Sequence, residues 1–399
     1  NAEPVREGRD LPQVAEAHLS GALHLQDLGF VDRLYSATHP LETIIRYGMG
    51  LPGSRSYADP PHHPETLLAQ MVKASELFQG MFSGGVRWDA VNVYLAPFLH
   101  QLSPRDLRQF AQVLVYEFAF RALTQPEPAA PVVLELCWTV PGHLRQRDAL
   151  GPSGIPTGRT YGSYEHTAQQ LAWAILELFG QHRAEGTHFP SPVPEIFVGP
   201  EFFRADGHEV WLAHVARAAA AGCAVQVRLG RDAAAPPEAL APWQAREVAA
   251  QQVVLNLPRA AYETGKESGL LARLDELIEI ALSAHEEKRA FLEQLLETGG
   301  MGPLGFLAMR RDGYPYIGLE HAQYLIGVEG LNECVQVLLN TEMHRTEEAA
   351  ALAERILAHL GERIGVRGAH RNLCAALSQN NDAALSNRFA TLDLGAFPR

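Results

Sequence analysis

The sequence predicts an α/β protein, and two observations carry that reading. Apolar residues recur at helical spacing over long stretches, Glu65 to Phe82, Ser103 to Leu123 and Gly269 to Leu296. Between such stretches lie short β-branched runs, Val132–Val140, Cys223–Leu229 and Gln252–Leu257, the last of them a buried-strand candidate.

In chain order, residues 1–10 read as a polar tail. Pro12 to Leu19 opens a short helix, and Gly21 to Asp27 is strand or loop. Pro52 to Pro64 is rich in Pro, Gly and Ser and reads as a loop. The helix from Glu65 places Leu68, Met71, Val72, Ser75, Phe78 and Phe82 on one stripe, and Gly84-Gly85 ends it. Val91–Leu95 is a strand candidate. Ser103-Pro104-Arg105-Asp106 is a helix start, with Ser as N-cap, Pro first and an acid third. Pro126 to Pro131 breaks that helix before the strand at Val132, and residues 141–163 read as loop. Tyr164–Phe179 and Val210–Ala221 read as helices, with a strand at Glu195–Val198 between them. Residues 231–241 look like loop. After the long helix, 321–340 is mixed, Glu347–Leu360 is a helix and His370–Leu377 a strand.

The chain has 399 residues, 47% of them hydrophobic, enough for one large domain over 1–399, and no repeat or linker interrupts it. A net charge of −13 repels phosphate backbones and argues against nucleic-acid binding. Cys137, Cys223, Cys334 and Cys374 stand singly, with no CxxC pair, so neither a disulfide framework nor a metal site is expected; buried thiols are. No run reaches the ~18–20 apolar residues of a membrane span, and the first residues hold no signal-peptide core. A cytoplasmic protein is expected, with no membrane partner.

Several motifs fail on context. Gly300 to Gly305 fits GxGxxG but follows a helix and holds Pro303. Gly265-Lys266 lacks the upstream glycine of a phosphate loop, with Ala260 in its place. His62-His63 and His182/His188 lie in polar loops, and His285 sits among apolar helix positions, where packing explains it. Glu286-Glu287 and Glu347-Glu348 are neighbours on helices and do not face each other, so they form no acid–base dyad.

Five collinear segments resemble one family. They are Ala15 to Leu28 (AEAHLSGALHLQDL), Gln79-Gly80 with Asp89 to Phe98 (DAVNVYLAPF), Ala241 to Arg246 with Val253 to Tyr262 (VVLNLPRAAY), Ile326 to Glu333 (IGVEGLNE) and Asn387 to Asp393 (NRFATLD). Together they resemble the catalytic subunit of anaerobic, glycyl-radical ribonucleoside-triphosphate reductases over roughly 11–398. The resemblance implies a ten-stranded α/β barrel of two half-barrels, with a finger loop through the middle. It implies His24 and Asn256 as substrate-side residues; packing and a strand-end cap are the alternatives. Asn332 and Glu333 are likewise ligand groups or helix caps.

The resemblance also implies chemistry in which a glycyl radical makes a thiyl radical at the finger tip, which then takes a ribose hydrogen. Here the finger interval 231–241 has no cysteine, Ser36 falls near the place of the family's second cysteine, and Gln26 replaces the second histidine of the N-terminal segment. Serine cannot substitute, because its O–H bond is far stronger than S–H. The glycyl loop and the zinc-binding cysteines of a C-terminal domain would follow Phe397. Catalytic residues therefore stay unassigned. Three readings are open: a radical-incompetent, nucleotide-related homologue; a genuine reductase whose tip and radical domain lie elsewhere; and unrelated chemistry in the same barrel, through His24, Gln26, Asp27 and Asn256. Expected partners are a nucleoside triphosphate, a second copy as the resemblance implies, and a radical-bearing or activating subunit; the helices 65–82 and 103–123 either form that second-copy interface or simply pack on the barrel.

Overall fold

A computed structural model describes residues 11–51, 55–124, 131–181, 189, 191–230, 240–299, 302–380 and 382–398. The strands that matter here are β1 (Leu23–Leu25), β2 (Leu34–Pro40), β3 (Phe82–Asp89), β4 (Val132–Cys137), β5 (Val193–Val198), β6 (Gln226–Leu229), β7 (Arg246–Asn256), β8 (Gln323–Glu329) and β9 (Cys374–Gln379). The helices are α1 (Leu11–Ser20), α2 (Pro64–Gln79), α3 (Val91–Leu99), α4 (Pro104–Thr124), α5 (Glu165–Gln181), α6 (His208–Ala220), α7 (Leu257–Thr264), α8 (Glu267–Glu297), α9 (Leu331–Leu339), α10 (Glu347–His370) and α11 (Ala383–Ala396). The described chain divides into two compact units, one from residues 1–35, 248–295 and 318–399, the other from 36–247 and 296–317.

In the second unit the strand order is β6-β5-β4-β3-β2, and the pairs β6–β5, β5–β4 and β4–β3 are parallel. Parallel strands need crossover helices, and α3, α4, α5 and α6 supply them. β4 is buried along its whole length, as a strand covered on both faces must be. In the first unit β7, β8 and β9 are parallel, and β1 pairs antiparallel with β7, His24 opposite Val254. Among the described residues these make eight strands of four residues or more plus the three-residue β1, fewer than the ten expected.

The helix start at Ser103 is as read: Ser103 Oγ accepts from Asp106 N at 3.2 Å and donates to Asp106 Oδ2 at 2.7 Å. Four readings need correction. Gly84-Gly85 is not a helix stop but lies inside β3, where any side chain on Gly85, at φ 151°, would bring its Cβ to 3.3 Å from Pro131 O. Val91–Leu95 is helical, because every side chain there except Phe98 in α3 is buried and a fully buried helix looks like a buried strand in sequence. The loop-like 141–163 holds the paired strands Asp148–Leu150 and Pro156–Thr160. The cysteines are not uniformly buried: Cys137 and Cys334 are, Cys223 is half-buried ahead of β6, and Cys374 is exposed on edge strand β9. Residues 231–239, His182, His188, Gly300 and Met301 lie outside the described residues. No described helix is long and apolar enough to cross a membrane.

α8 and α10 run side by side in the first unit under a ladder of ion pairs. Arg355 meets Glu267; His359, Arg363 and Arg367 meet Asp275; Arg367 and Arg371 meet Glu279; and Arg371 meets Glu286. His285 is buried on α8, its Nδ1 3.0 Å from Gln251 Oε1, so it is packed as its apolar setting predicts.

Candidate functional site

The pleat of β3 to β6 gathers charge on one face. Register sets Glu135 of β4 beside Glu195 of β5, and Gln226 of β6 beside Glu195. Alternation then brings Arg228 to the same face, with Arg87 and Asp89 of β3 and Cys137 of β4. Arg228 Nε donates to Glu135 Oε2 at 2.8 Å, its Nη2 reaches the same oxygen, and its Nη1 donates to Glu247 Oε1 at 2.9 Å. Arg87 Nε lies 2.8 Å from Glu195 Oε1, an ion pair. Thr38 Oγ1 donates to Glu247 Oε2 at 3.1 Å. Arg246 Nη1 binds Asp89 Oδ2 at 3.1 Å and His143 Nε2 at 2.6 Å, which makes that imidazole nitrogen an acceptor. Burial first, and the nearby arginines, keep His143 neutral with its pKa down at about 4, against the opposing charge of Asp89.

Glu135 is buried, and so is Glu195, while the side chains of Glu247, Arg87 and Arg228 keep 45%, 30% and 25% exposure. The face therefore has a dry floor and a wet rim. Burial, then the charge of Asp89, lift the Glu135 carboxyl above its ordinary range although Arg228 pulls it back. Burial also raises Glu195, against Arg87 and Arg228. Cys137 Sγ lies 3.6 Å from Glu135 Oε1. Burial and the carboxylates of Glu135 and Asp89 push its thiol well up, so it stays S–H. Asn92 of α3 clamps the Cys137 peptide, donating to its carbonyl at 2.8 Å and accepting from its N–H at 2.9 Å. Two residues with side chains hold left-handed backbone at this face, Ala90 at φ 39° and Glu247 at φ 47°. Each such conformation costs on the order of 1–3 kcal/mol, and such strain clusters at functional sites.

Sequence reading missed this face. The signal was present: one charge inside each apolar run, Glu135 in VVLELC, Glu195 in VPEIFV and Arg228 in QVRL.

His24, Gln26, Asp27, Asn256, Asn332 and Glu333, singled out from sequence, lie in the first unit. His24 and Asn256 project from β1 and β7 toward α11, where Leu385 and Phe389 pack on Val254. His24 meets the Phe389 ring edge-on at 6.4 Å and the His18 ring at 5.0 Å. Burial, then the positive neighbours His18 and Arg388, lower His24 to about 4, with Asp382 opposing. Its Nδ1 is buried without a hydrogen-bond partner, as are Gln26 Oε1, Asp27 Oδ2 and Arg388 Nη1 nearby in the same unit. Asn256 is fully engaged. Its Oδ1 accepts from Arg259 N at 3.2 Å, capping α7, and its Nδ2 donates to Gly21 O at 3.0 Å and Asp393 Oδ2 at 2.9 Å. Asn332 Oδ1 accepts from Met343 N at 3.0 Å, closing the loop after α9. Ser36 stands half-buried on β2.

A model of the anaerobic ribonucleoside-triphosphate reductase family matches residues 9–399. The chain belongs to that family. It is a homologue of the reductase catalytic subunit. Among solved structures it is similar to the anaerobic ribonucleotide reductase from Thermotoga maritima with citrate in the active site, at 16% identity and TM-score 0.77, over 98% of this chain and 73% of that one. The same enzyme with dATP bound in the specificity site matches at 16% and 0.77, over 98% and 68%. Its complex with dATP and CTP matches at 16% and 0.76, over 98% and 66%. At such identity these likenesses show the fold: a mixed α/β fold of the anaerobic reductase type. No curated protein matches the chain. The residues present do not fit the family's zinc ion. The four cysteines are dispersed, and no described group of three His, Cys, Asp or Glu side chains is placed to hold a metal.

Proposed function

We propose that this chain is a nucleotide-binding member of its family that does not perform thiyl-radical reduction with its own residues. One observation carries the reading: no thiol stands where the reaction would need one. Ser36 falls near the place that the resemblance gives the family's second cysteine, and residues 231–241 contain no cysteine. The one cysteine on the charged face, Cys137, is clamped by Asn92 and held against Glu135 instead. The nucleotide part rests on the family and on the dATP and CTP bound by the Thermotoga maritima enzyme. His24 and its unpartnered neighbours are the proposed contact on the ligand side; Asn256 supports them through α7. A second copy of the chain is the proposed oligomeric partner.

Two measurements test this. Nucleoside triphosphates should raise the melting temperature, with stabilisation of about 2.7 kcal/mol at a hundredfold excess over Kd. No shift with any NTP or dNTP refutes nucleotide binding. Anaerobic incubation with NTP, a reductant and a radical-generating activase should give no deoxynucleotide; product formed by this chain alone refutes the radical part. The coverage of 66–73% of the Thermotoga chains favours a second reading, in which thiol and radical groups come from elsewhere. Product formed only when a separate radical-bearing chain is added supports that one.

A further inference from the structure

We propose that the second unit carries a docking groove, set between two small hairpins, for an extended, proline-bearing acidic segment of a partner protein. The groove makes no use of the nucleotide reading.

The hairpins frame it. Met49–Gly50 pairs with Tyr57–Ala58, and Arg310–Arg311 with Tyr314–Pro315, all within the second unit. Tyr47 ties the two together. Its carbonyl accepts from Tyr57 OH at 2.6 Å, and its own OH donates to Asp312 Oδ2 at 2.7 Å in the second turn. A cleft of about 310 Å³, counted out to its mouth, is lined by Tyr47 and Gly50 from the first hairpin's side, by Met309 and Arg311 from the second's, and by Trp243 and Tyr316. The rings of Tyr47 and Trp243 stand at 87° with centroids 5.7 Å apart. A Cβ on Gly50 would come within 2.6 Å of the Tyr57 ring, so ring and backbone are in contact there.

Size and chemistry select the occupant. Sites for small molecules run from about 300 to 1,000 Å³ and enclose most of the ligand. This cleft is open and at the bottom of that range, so it takes one side chain rather than a free nucleotide. Flat aromatic walls at right angles suit a proline ring, and a polyproline-type segment arrives already extended, with little order left to lose. Its carbonyls make no internal hydrogen bonds and need donors. Arg311 supplies one, its guanidinium 5.1 Å from the centre of the Tyr47 ring. The lips are apolar and accessible: Tyr57, Tyr314 and Leu51 are 57%, 52% and 44% exposed. Tyr, Trp, Met and Arg are the residues enriched where proteins meet.

Charge fixes the sign of the partner. Within 310–315 two arginines accompany one carboxylate, Asp312, which Tyr47 already holds. Arg310 donates to Gly313 O at 3.0 Å, and neither arginine forms an ion pair among the described residues. The hairpin is thus a positive spot on a chain of net charge −13. An acidic residue beside the proline gives these guanidinium groups a counter-charge.

Fluorescence anisotropy of labelled synthetic peptides on the full chain tests the groove. The probe is a Glu-Pro repeat, compared with Glu-Ala and Lys-Pro repeats. The Glu-Pro peptide should bind saturably with Kd below about 1 mM, and the other two about tenfold more weakly or worse. Added salt should weaken the binding. Arg311→Glu should abolish it. Tyr47→Ala should lower it about tenfold or more, whereas Tyr47→Phe, which keeps the ring, should stay within about threefold. If Tyr47→Ala does not fold, Arg311→Glu and Tyr314→Ala, on the half-exposed and exposed hairpin, carry the test. No saturable binding of the Glu-Pro peptide overturns the groove, as does equal binding of either comparison peptide or binding unchanged in Arg311→Glu. Self-association of the chain that Arg311→Glu abolishes gives the surface to a second copy and overturns the partner class.

Discussion

Asn256→Ala separates a supporting role from a ligand role, and the structure gives its size. Asn256 is 1% exposed and makes three hydrogen bonds. Losing the cap on α7 costs about 1 kcal/mol. The substitution also strips a donor from two acceptors, Gly21 O and Asp393 Oδ2. Each buried acceptor left open costs about 1–3 kcal/mol, with the carboxylate at the upper end. Part of that is recovered, since Arg259 still binds the other oxygen of Asp393 at 3.0 Å. The expected loss is about 3–5 kcal/mol in urea unfolding followed by far-UV circular dichroism. A loss under 1 kcal/mol with the helix intact refutes the reasoning and returns Asn256 to the ligand. Asn256→Asp sharpens the test. It keeps the cap oxygen but sets a second carboxylate about 2.9 Å from Asp393, whose carboxyl is already raised by burial. That variant should be weak at neutral pH and recover as pH falls and the pair takes up a proton.

Other perturbations have equally definite outcomes. Asp275→Asn removes the anion shared by His359, Arg363 and Arg367 and should cost about 1–2 kcal/mol at low salt, shrinking as salt is added, because the network is partly exposed; a salt-independent loss contradicts the electrostatic account. Stability should fall as pH drops below about 6.5. His39 and His285 are neutral in the fold with pKa values lowered to about 3 by burial, whereas the unfolded chain takes up their protons from about 6.5 downward. His285→Gln should reduce that slope by up to about 1.4 kcal/mol per pH unit between roughly pH 4 and 6, and an unchanged slope refutes the assignment. Glu135 works in the opposite sense. With its folded pKa raised, its contribution is complete below its unfolded value and is lost as pH rises through the folded one, so Glu135→Gln should flatten the alkaline limb. Ser103→Ala should cost about 1 kcal/mol through the lost cap on α4.

Local rules were enough where one side chain decides the backbone. The helix start at Ser103 and the long amphipathic α8 could be read directly, since cap chemistry and a 3.6-residue stripe are local. So could the α/β class and, through NLPR and GLNE, the family. Burial on all sides hid the rest. α3 carries no polar face to show its period, so Val91 to Leu95 reads as strand until Tyr94 and Asn92 are placed in the core. α7 begins at Leu257-Pro258, and the resemblance gives its cap, Asn256, a substrate-side role, while two of its three partners, Gly21 and Asp393, come from distant parts of the chain. The charged face was obscured for a related reason. Glu135, Glu195 and Arg228 are each a single charge in a separate apolar run, and only parallel register joins them. Ser36 and Cys137 show the opposite case, in which identity alone carries the chemical argument and geometry adds the setting.

The ladder between α8 and α10 acts as a vernier. Its basic residues recur every fourth position, Arg355, His359, Arg363, Arg367 and Arg371, whereas the helix repeats every 3.6. Successive members within the helix are thus rotated about 40° around α10, so Arg355 and Arg367 lie some 120° apart. Arg355 binds Glu267 at the start of α8 and Arg371 binds Glu286 much further along it, with Asp275 between them in sequence. Axial sliding of one helix on the other would break contacts at both places together. For the same reason, deleting one residue between Arg355 and Arg371 would turn everything beyond it by about 100° and unhook the later rungs at once. Conservative exchanges of single charges should be absorbed there far more easily than any change in length.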